Sequence, residues 1–588
     1  MFDSIIKGGR WFDGTGAAST IRHLGIRDGR IAAISETPLD ETGCPRVVDA
    51  EGMWVIPGMI DIHTHYDVEV LLEPSLSESV RHGVTTVLLG SCSLSTVHVD
   101  GETAGDLFGR VEAIPRDYVV SALDEHRTWV TATEFIEALE QLPLGPNLAG
   151  FIGHSDMRAA VMGLDRATRK EVKPSAEELA EMERMLGAAL DAGFVGMSSQ
   201  QLLFDKLDGV QCRSRTLPST YAKSRERHRL NDILRKRGRA LQGGPDVGNP
   251  VSLVSMAASS IGLWRNPLKV SLLSAADVKA VPGAAKMFPA LGKIINGLDG
   301  DFRWQHLPVP FEVYSDGISL PVFEEFGSGA AALHLSDQLD EQRHLLCDED
   351  YRRAFRKDYE KKYGPRVWHR DFFDADIVAC PDDTVLGKTF GQVGVDRGGL
   401  HPVDAFLDLV VEHGDKLRWR TTISNHRPEV ADVLAADPSV QLGFSDAGAH
   451  LRNMAFYNFG LRLLRRVAAA GERPFMSVEH AVHRLTGELA DWYGLDAGHL
   501  RLGDRADAVV IDPAHLDDTL DAYAESPVAV YGGLSRMVNR NDETVRAVFV
   551  NGRYVFGRGA ADPVLGTERV GEFLRAADQP HRPAAVKA

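Results

Sequence analysis

The sequence predicts an α/β protein: a (β/α)8 TIM-type barrel with a discontinuous β-sandwich domain made from both termini. Three observations carry this. A unit of helix, glycine, apolar strand and polar residue recurs between residues 58 and 498. Its strands are apolar throughout instead of alternating, the pattern of a parallel sheet covered by helices. Hairpin signals sit at both ends of the chain. A doubly wound open sheet is the runner-up.

Residues 1–57 read as the N-terminal part of the sandwich. "SIIKGGRWFDGTG", "HLGIRDGRIAAIS" and "RVVDAEGMWVIPG" interleave apolar positions with glycine, and Asp28-Gly29 marks a tight turn. Residues 58–498 hold the barrel, and its clearest unit is "SAEELAEMERMLGAALDAG" leading into "FVGMSS". There Ser175 and Glu178 form a capping-box pair, Leu179, Met182, Leu186 and Leu190 recur at helical spacing, and Gly193 stops the helix. From about 279 to 380 the pattern turns irregular and aromatic, as in "FRWQHLPVPFEVYSDG", which reads as an insertion or lid. Residues 499–588 return to strands and a tail, with Asn551-Gly552 as a turn between "VRAVFV" and "RYVFG".

Composition excludes several classes. With 44% hydrophobic and 25% charged residues among 588, the balance is that of a globular protein. The first residues lack a signal-peptide pattern and no apolar run is long enough to span a membrane, so a cytoplasmic protein with no membrane partner is expected. A net charge of −18 repels polyanions, so nucleic acid is not an expected partner, while a small anion could still meet local arginines. Five cysteines, odd in number and never in a Cys-x-x-Cys pair, argue against a disulfide framework. Homo-oligomerisation is left open.

The chemistry is sought at the C-terminal strand ends, where such barrels carry it. "VIPGMIDIHTHYD" ends an apolar run with His63 and His65, two apart and so on one face of a strand, where both imidazoles can reach one metal ion. Asp61 and Asp67 are carboxylates placed to orient an imidazole N–H. Later runs end in Cys92, His154, Ser198 and Ser199, Gln242, and Asp446. Two histidines, a thiol and a carboxylate are donor types that a zinc-like divalent ion accepts. An acidic residue ending an apolar strand seldom serves packing, so Asp446 reads as functional; a buried inert cysteine and a core histidine are the bland readings of Cys92 and His154. His154, Ser198 and Arg158, the last residue of "GHSDMR", are candidates for substrate contact, with a surface ion pair as the alternative for Arg158. "GKT" at Gly387–Thr389 is no phosphate loop, because Asp382 stands where its first glycine is required.

Together, "VIPGMIDIHTHYD", "FSDAGAHL" and "LRLGDRADAVVIDP" resemble the metal-dependent amidohydrolases. "NLAGFIGHSDMRAAVMG" with "LDAGFVGMSS" narrows the resemblance to the N-acyl-D-amino-acid deacylase (D-aminoacylase) branch, over nearly the whole chain. The resemblance implies that His63 and His65 are first-strand metal ligands, that Cys92 is the cysteine ligand of this branch, and that Asp446 is the last-strand catalytic aspartate. Cys92 lies in "GSCSLS", where Gly-Asn-Cys-Gly is usual. Family members also place histidine ligands after the fifth and sixth strands, but "RALQGGPD" and "LKVSLLSAADVKA" contain none. The implied cofactor is a divalent metal, zinc before others, as one or two ions: either a single ion on His63, His65 and Asp446, with or without Cys92, or a site completed by Gln242, His306 or His369. The implied activity is hydrolysis of a C–N bond other than a peptide bond, namely deacylation of an N-acyl-D-amino acid or related small-molecule amide. A cyclic amide or imide hydrolase and a non-catalytic scaffold are the alternatives. Keeping His63, His65 and Asp446 together favours the enzyme.

Overall fold

The computed structural model describes residues 1–209, 211–246, 249–263, 265–336, 338–361, 366–471 and 474–577. Eight parallel strands follow one another around a barrel: β1 (Met59–Asp61, resumed as His63–Thr64), β2 (Val84–Leu89), β3 (Asn147–Gly153), β4 (Gly196–Gln200), β5 (Ala240–Gly244), β6 (Lys269–Leu272), β7 (Asp301–His306) and β8 (Val440–Leu442, resumed as Phe444–Ala447). The ring closes where the resumed halves of β1 and β8 pair in parallel, Phe444 opposite His63. Ile62 N–H donates to Gly443 O and His65 N–H to Ala447 O, each at 2.7 Å. Gly443 permits the interruption of β8: its φ is +125°, and a Cβ there would meet Ile60 O at 2.8 Å.

The helix Ala176–Ala192 shows why the units form. Ser175 Oγ accepts the Glu178 N–H at 3.1 Å and Glu178 Oε2 accepts the Ser175 N–H at 2.8 Å, closing the capping box. Leu179, Met182, Leu186 and Leu190 are buried, and Gly193 ends the helix at φ +111°.

Strands from both ends of the chain share one nine-stranded sheet. Trp54–Pro57 pairs antiparallel with Ala508–Ile511, which pairs with Val545–Val550, while Ser4–Trp11 runs along the other side of Trp54–Pro57. Alternation divides its side chains. Val55, Ala508, Val510, Ala547 and Phe549 enclose a small core with Ile6, Leu24 and Ile26, while Trp54, Ile56, Val509, Ile511, Val548 and Val550 join the barrel's own core. The tail beyond residue 577 lies outside the described residues.

The insertion starts and ends later than the 279–380 read from the sequence. The helix Met287–Gly297 and β7 fall within that range and belong to the barrel, and the aromatic residues Phe302 and Trp304 that made it look irregular are barrel core. The excursion runs instead from the strand Phe311–Asp316 to the strand Arg418–Ser424, which pair antiparallel, with Asp376–Ala379 on the outer side. It has a separate aromatic core around Phe323, Phe355, Trp368, Phe372, Phe406 and Trp419. Among the described residues, no helix is long and apolar enough to cross a membrane.

Candidate metal centre

Three strand ends bring the donors together. β1 delivers His63 and His65 from one face, both fully buried. Cys92 follows β2 and Asp446 lies in the resumed part of β8. The local backbone is strained: Cys92, Ser93, Asp446 and His450 all have positive φ, at 51°, 71°, 60° and 53°. Each such non-glycine residue costs about 1–3 kcal/mol, and persists only where its surroundings hold it. Here they do, because Cys92 N–H donates to Gln242 Oε1 at 3.3 Å and Ser93 N–H donates to Ser198 Oγ at 3.0 Å.

His63 Nε2 lies 3.4 Å from Cys92 Sγ and 3.5 Å from Asp446 Oδ1, and His65 Nε2 lies 3.0 Å from the same carboxylate oxygen. Donor atoms of His63, His65 and Cys92 all fall within 4.8 Å of one another. Ligands bound at about 2.0–2.3 Å around a tetrahedral ion sit roughly 3.3–3.6 Å apart. The His63–Cys92 and His63–Asp446 separations match those edges, and the donor types, imidazole, thiol and carboxylate, fit a zinc-like ion.

Burial alone would raise the Asp446 carboxyl, but hydrogen bonding and charge from His65, with the charges of His63 and His450, hold it well below the usual carboxylate range. Burial pushes His63 down to about 4 and the Cys92 thiol up to about 12. His65 goes the other way: burial opposes its protonation, but the Glu112 charge and the bonds to Asp446 and Cys92 raise it well above normal. Glu112 itself is pushed up to about 8 by burial, against the pull of His65. Of the two strand histidines, only His65 is shifted towards its protonated form, beside the Asp446 carboxylate.

The ring partners differ from those expected. Asp61 accepts the His63 backbone N–H at 3.2 Å and the Ser445 hydroxyl, and Asp67 Oδ2 accepts the Gly90 N–H at 3.1 Å. These two carboxylates brace backbone, not imidazole. His65 Nδ1 lies instead 3.3 Å from Glu112 Oε1, and His63 Nδ1 lies 2.7 Å from Gln305 Oε1 and 3.0 Å from Gln242 Nε2. Of the three proposed stand-ins, only Gln242 reaches the cluster. His306 turns its Nδ1 to Ala275 O at 2.7 Å, and His369 lies in the insertion against Asp374 at 3.1 Å.

The candidates for substrate contact lie in a second buried group. His154 bridges Ser199 Oγ (3.0 Å) and Glu226 Oε1 (2.9 Å), and the Arg158 guanidinium pairs with the other oxygen of Glu226. All four side chains are buried. The ion pair weighed for Arg158 is therefore present, inside the protein. Ser198, one residue away on β4, is occupied by the backbone of Ser93. Glu112, Gln305 and His450 escaped sequence reasoning. Glu112 sits in the unmarked loop "RVEAIP", and Gln305 inside a strand carries no motif; His450, in the "AGAH" that follows Asp446, had the only legible signal.

A closed parallel barrel with such a donor cluster at its C-terminal mouth is the architecture of a barrel metalloprotein. No family model matches the chain. An uncharacterised protein of Mycobacterium tuberculosis is 57% identical over 98% of this chain and 96% of its own length. An N-acyl-D-aspartate deacylase of Alcaligenes xylosoxydans xylosoxydans is 25% identical over 98% of this chain and 95% of its own. A solved D-aminoacylase, described with a binuclear metal center, shares the fold with a TM-score of 0.62 at 21% identity, covering 98% of this chain and 100% of that one. The chain is thus similar along nearly its whole length to an N-acyl-D-aspartate deacylase and shares the fold of the D-aminoacylases.

Proposed function

We propose that this amidohydrolase deacylates an N-acyl-D-amino acid or a related amide, with a divalent ion, zinc first, held by His63, His65, Cys92 and Asp446. The observation that carries the proposal is the convergence of donor atoms of His63, His65 and Cys92 within 4.8 Å of one another, with Asp446 Oδ1 3.5 Å from His63 Nε2 and 3.0 Å from His65 Nε2. When bound, the ion supplies Lewis-acid chemistry, polarising the amide carbonyl and making water nucleophilic near neutral pH.

Asp446 supplies the proton transfers. Its carboxylate takes the proton from the attacking water and returns it to the departing nitrogen, so the amide C–N bond breaks with a neutral amine leaving. Glu112, 3.3 Å from His65 Nδ1, orients the His65 ring from the side away from Asp446. A cavity of about 180 Å³ lined by Arg110, Val111, Asp205, Lys206 and Glu324 flanks the segment that carries Glu112. Lys206 makes no ion pair within 4 Å among the described residues; burial lowers its ammonium while Glu324 and Asp205 favour its charge, and it is the cation we assign to the free carboxylate of an acylated amino acid.

The experiment is elemental analysis of unchelated protein together with hydrolysis assays on N-acyl-D-amino acids, N-acyl-L-amino acids and cyclic amides. Close to one divalent ion per chain and turnover of an N-acyl-D-amino acid are expected, and His63→Ala with His65→Ala should lose both. Metal-free protein, or turnover confined to cyclic amides, would reject this reading.

A further inference from the structure

The far side of the barrel mouth is polar, yet the proposed reaction leaves it idle. β5, β6, β7 and β8 send Gln242, Ser271, Gln305 and Gln441 inward, all buried. Gln305 Nε2 donates to Ser271 Oγ at 3.0 Å, and Ser271 Oγ donates to Gln441 Oε1 at 3.0 Å. Gln305 Oε1 lies 2.7 Å from His63 Nδ1, and Gln242 Oε1 accepts the Cys92 N–H at 3.3 Å. Within this network Gln441 Nε2 lacks a partner, and the contact of Gln242 Nε2 is His63 Nδ1. Amides and hydroxyls buried this way stay bonded to one another, because an unpaired one carries a full desolvation penalty.

Such groups are poor company for a second ion. Zinc-like ions take thiolate, imidazole and carboxylate, and an amide side chain brings neither negative charge nor a basic nitrogen. Among the described residues, one group of three or more His, Cys, Asp or Glu converges closely enough for a metal, and it is the one at His63, His65 and Cys92.

We propose that this glutamine and serine network restricts the centre to a single ion, and that Gln305 is the positioning residue that fixes His63 for it. An imidazole that ligates through Nε2 carries its hydrogen on Nδ1, and the bond that Nδ1 makes sets the ring's tautomer and orientation. The 2.7 Å contact makes Gln305 Oε1 the acceptor for that hydrogen. Gln242, whose Nε2 is 3.0 Å from the same nitrogen, cannot also donate to it once Nδ1 is protonated; its role is to hold the Cys92 backbone. The binuclear description of the D-aminoacylase neighbour is thus not carried over to this chain.

The inference rests on the metal reading above, and one titration separates the two. Full-length protein is stripped with a chelator and titrated with zinc, and bound metal is read by elemental analysis and by competition with a chromophoric chelator. One ion per chain is expected even with zinc in excess. Gln305→Leu should weaken zinc binding about 10–100-fold, and Gln305→Glu, which keeps an acceptor in place, should restore most of it. Two ions per wild-type chain would overturn the proposal. So would a folded Gln305→Leu protein that binds zinc as tightly as wild type, or a Glu variant no better than Leu. Should Gln305→Leu fail to fold, the wild-type stoichiometry and the Glu variant still decide. A wild-type chain that binds no zinc at all would instead remove the metal reading itself.

Discussion

The two halves of the barrel mouth are both largely buried, with Asp446 the more open member, and chemically opposite. Around β1, β2 and β8 stand His63, His65, Cys92 and Asp446; around β5, β6 and β7 stand Gln242, Ser271 and Gln305. Solvent does not separate them, but charge does. The first half couples His65 to two carboxylates, Asp446 and Glu112, and contains the strained residues Cys92, Ser93, Asp446 and His450. The second is an uncharged lattice that donates and accepts without titrating. A cation placed here is held against one wall of the barrel, and the opposite wall acts on it only through the hydrogen bonds it makes to the ligands.

The sharpest test of that division is Asp446→Asn. It keeps the shape and one carbonyl oxygen but removes the base, so turnover should fall about 10²–10⁴-fold. Metal content, measured on the same preparation, should largely persist. If kcat at saturating zinc equals that of wild type, the charged half is not where protons move.

Next in size is the buried group at β3 and β4, which belongs to neither half. Glu226→Gln leaves Arg158 without its counter-charge, and breaking a buried pair in this way costs roughly 3–5 kcal/mol. The pH dependence gives a sign. Burial opposes ionisation of Glu226, but His154 and Arg158 more than offset it and hold the carboxyl down at about 2. A depressed acid contributes stability above its unfolded value of about 4.3 and loses it as pH falls through the folded one. Denaturant unfolding should therefore show a wild-type advantage over Glu226→Gln that is steady from neutral pH to mildly acidic pH, then closes below about pH 4. A gap independent of pH in that window would mean that His154 and Arg158 do not depend on the Glu226 charge.

The smallest expected effect is at the entrance. Lys206→Met should raise KM about 10-fold for a carboxylate-bearing substrate, the value of one charge-assisted hydrogen bond, and leave kcat within a few-fold. An unchanged KM would place the substrate carboxylate elsewhere.

What could be read in the sequence follows from which forces are local. The helix Ala176–Ala192 was legible to its caps because a capping box and an apolar stripe are written in neighbouring residues. His63 and His65 were legible because strand geometry alone puts them on one face, and Asp446 because a carboxylate after an apolar run has few structural uses. Glu112 and Gln305 were not, since each acts on a histidine brought to it by the fold from a distant part of the chain. The insertion was misplaced for a related reason: aromatic density is the same signal whether the rings fill a barrel, as Phe302 and Trp304 do, or a separate core, as Trp368 and Phe372 do.

The pairing of Trp54–Pro57 with Ala508–Ile511 has a consequence for how the protein is made. The strand that runs through Gly58 into the histidines leaves the ribosome about 450 residues before its partner. Gly58 donates its N–H to Asp507 O at 2.9 Å, a bond that forms only once both segments are present. At about 5–20 residues per second of synthesis, the wait is on the order of tens of seconds. During it an apolar strand edge stands open to other nascent chains. Phe444, which closes the barrel beside His63, is synthesised 381 residues after it, so the pairing that closes the site forms only once that stretch has been made.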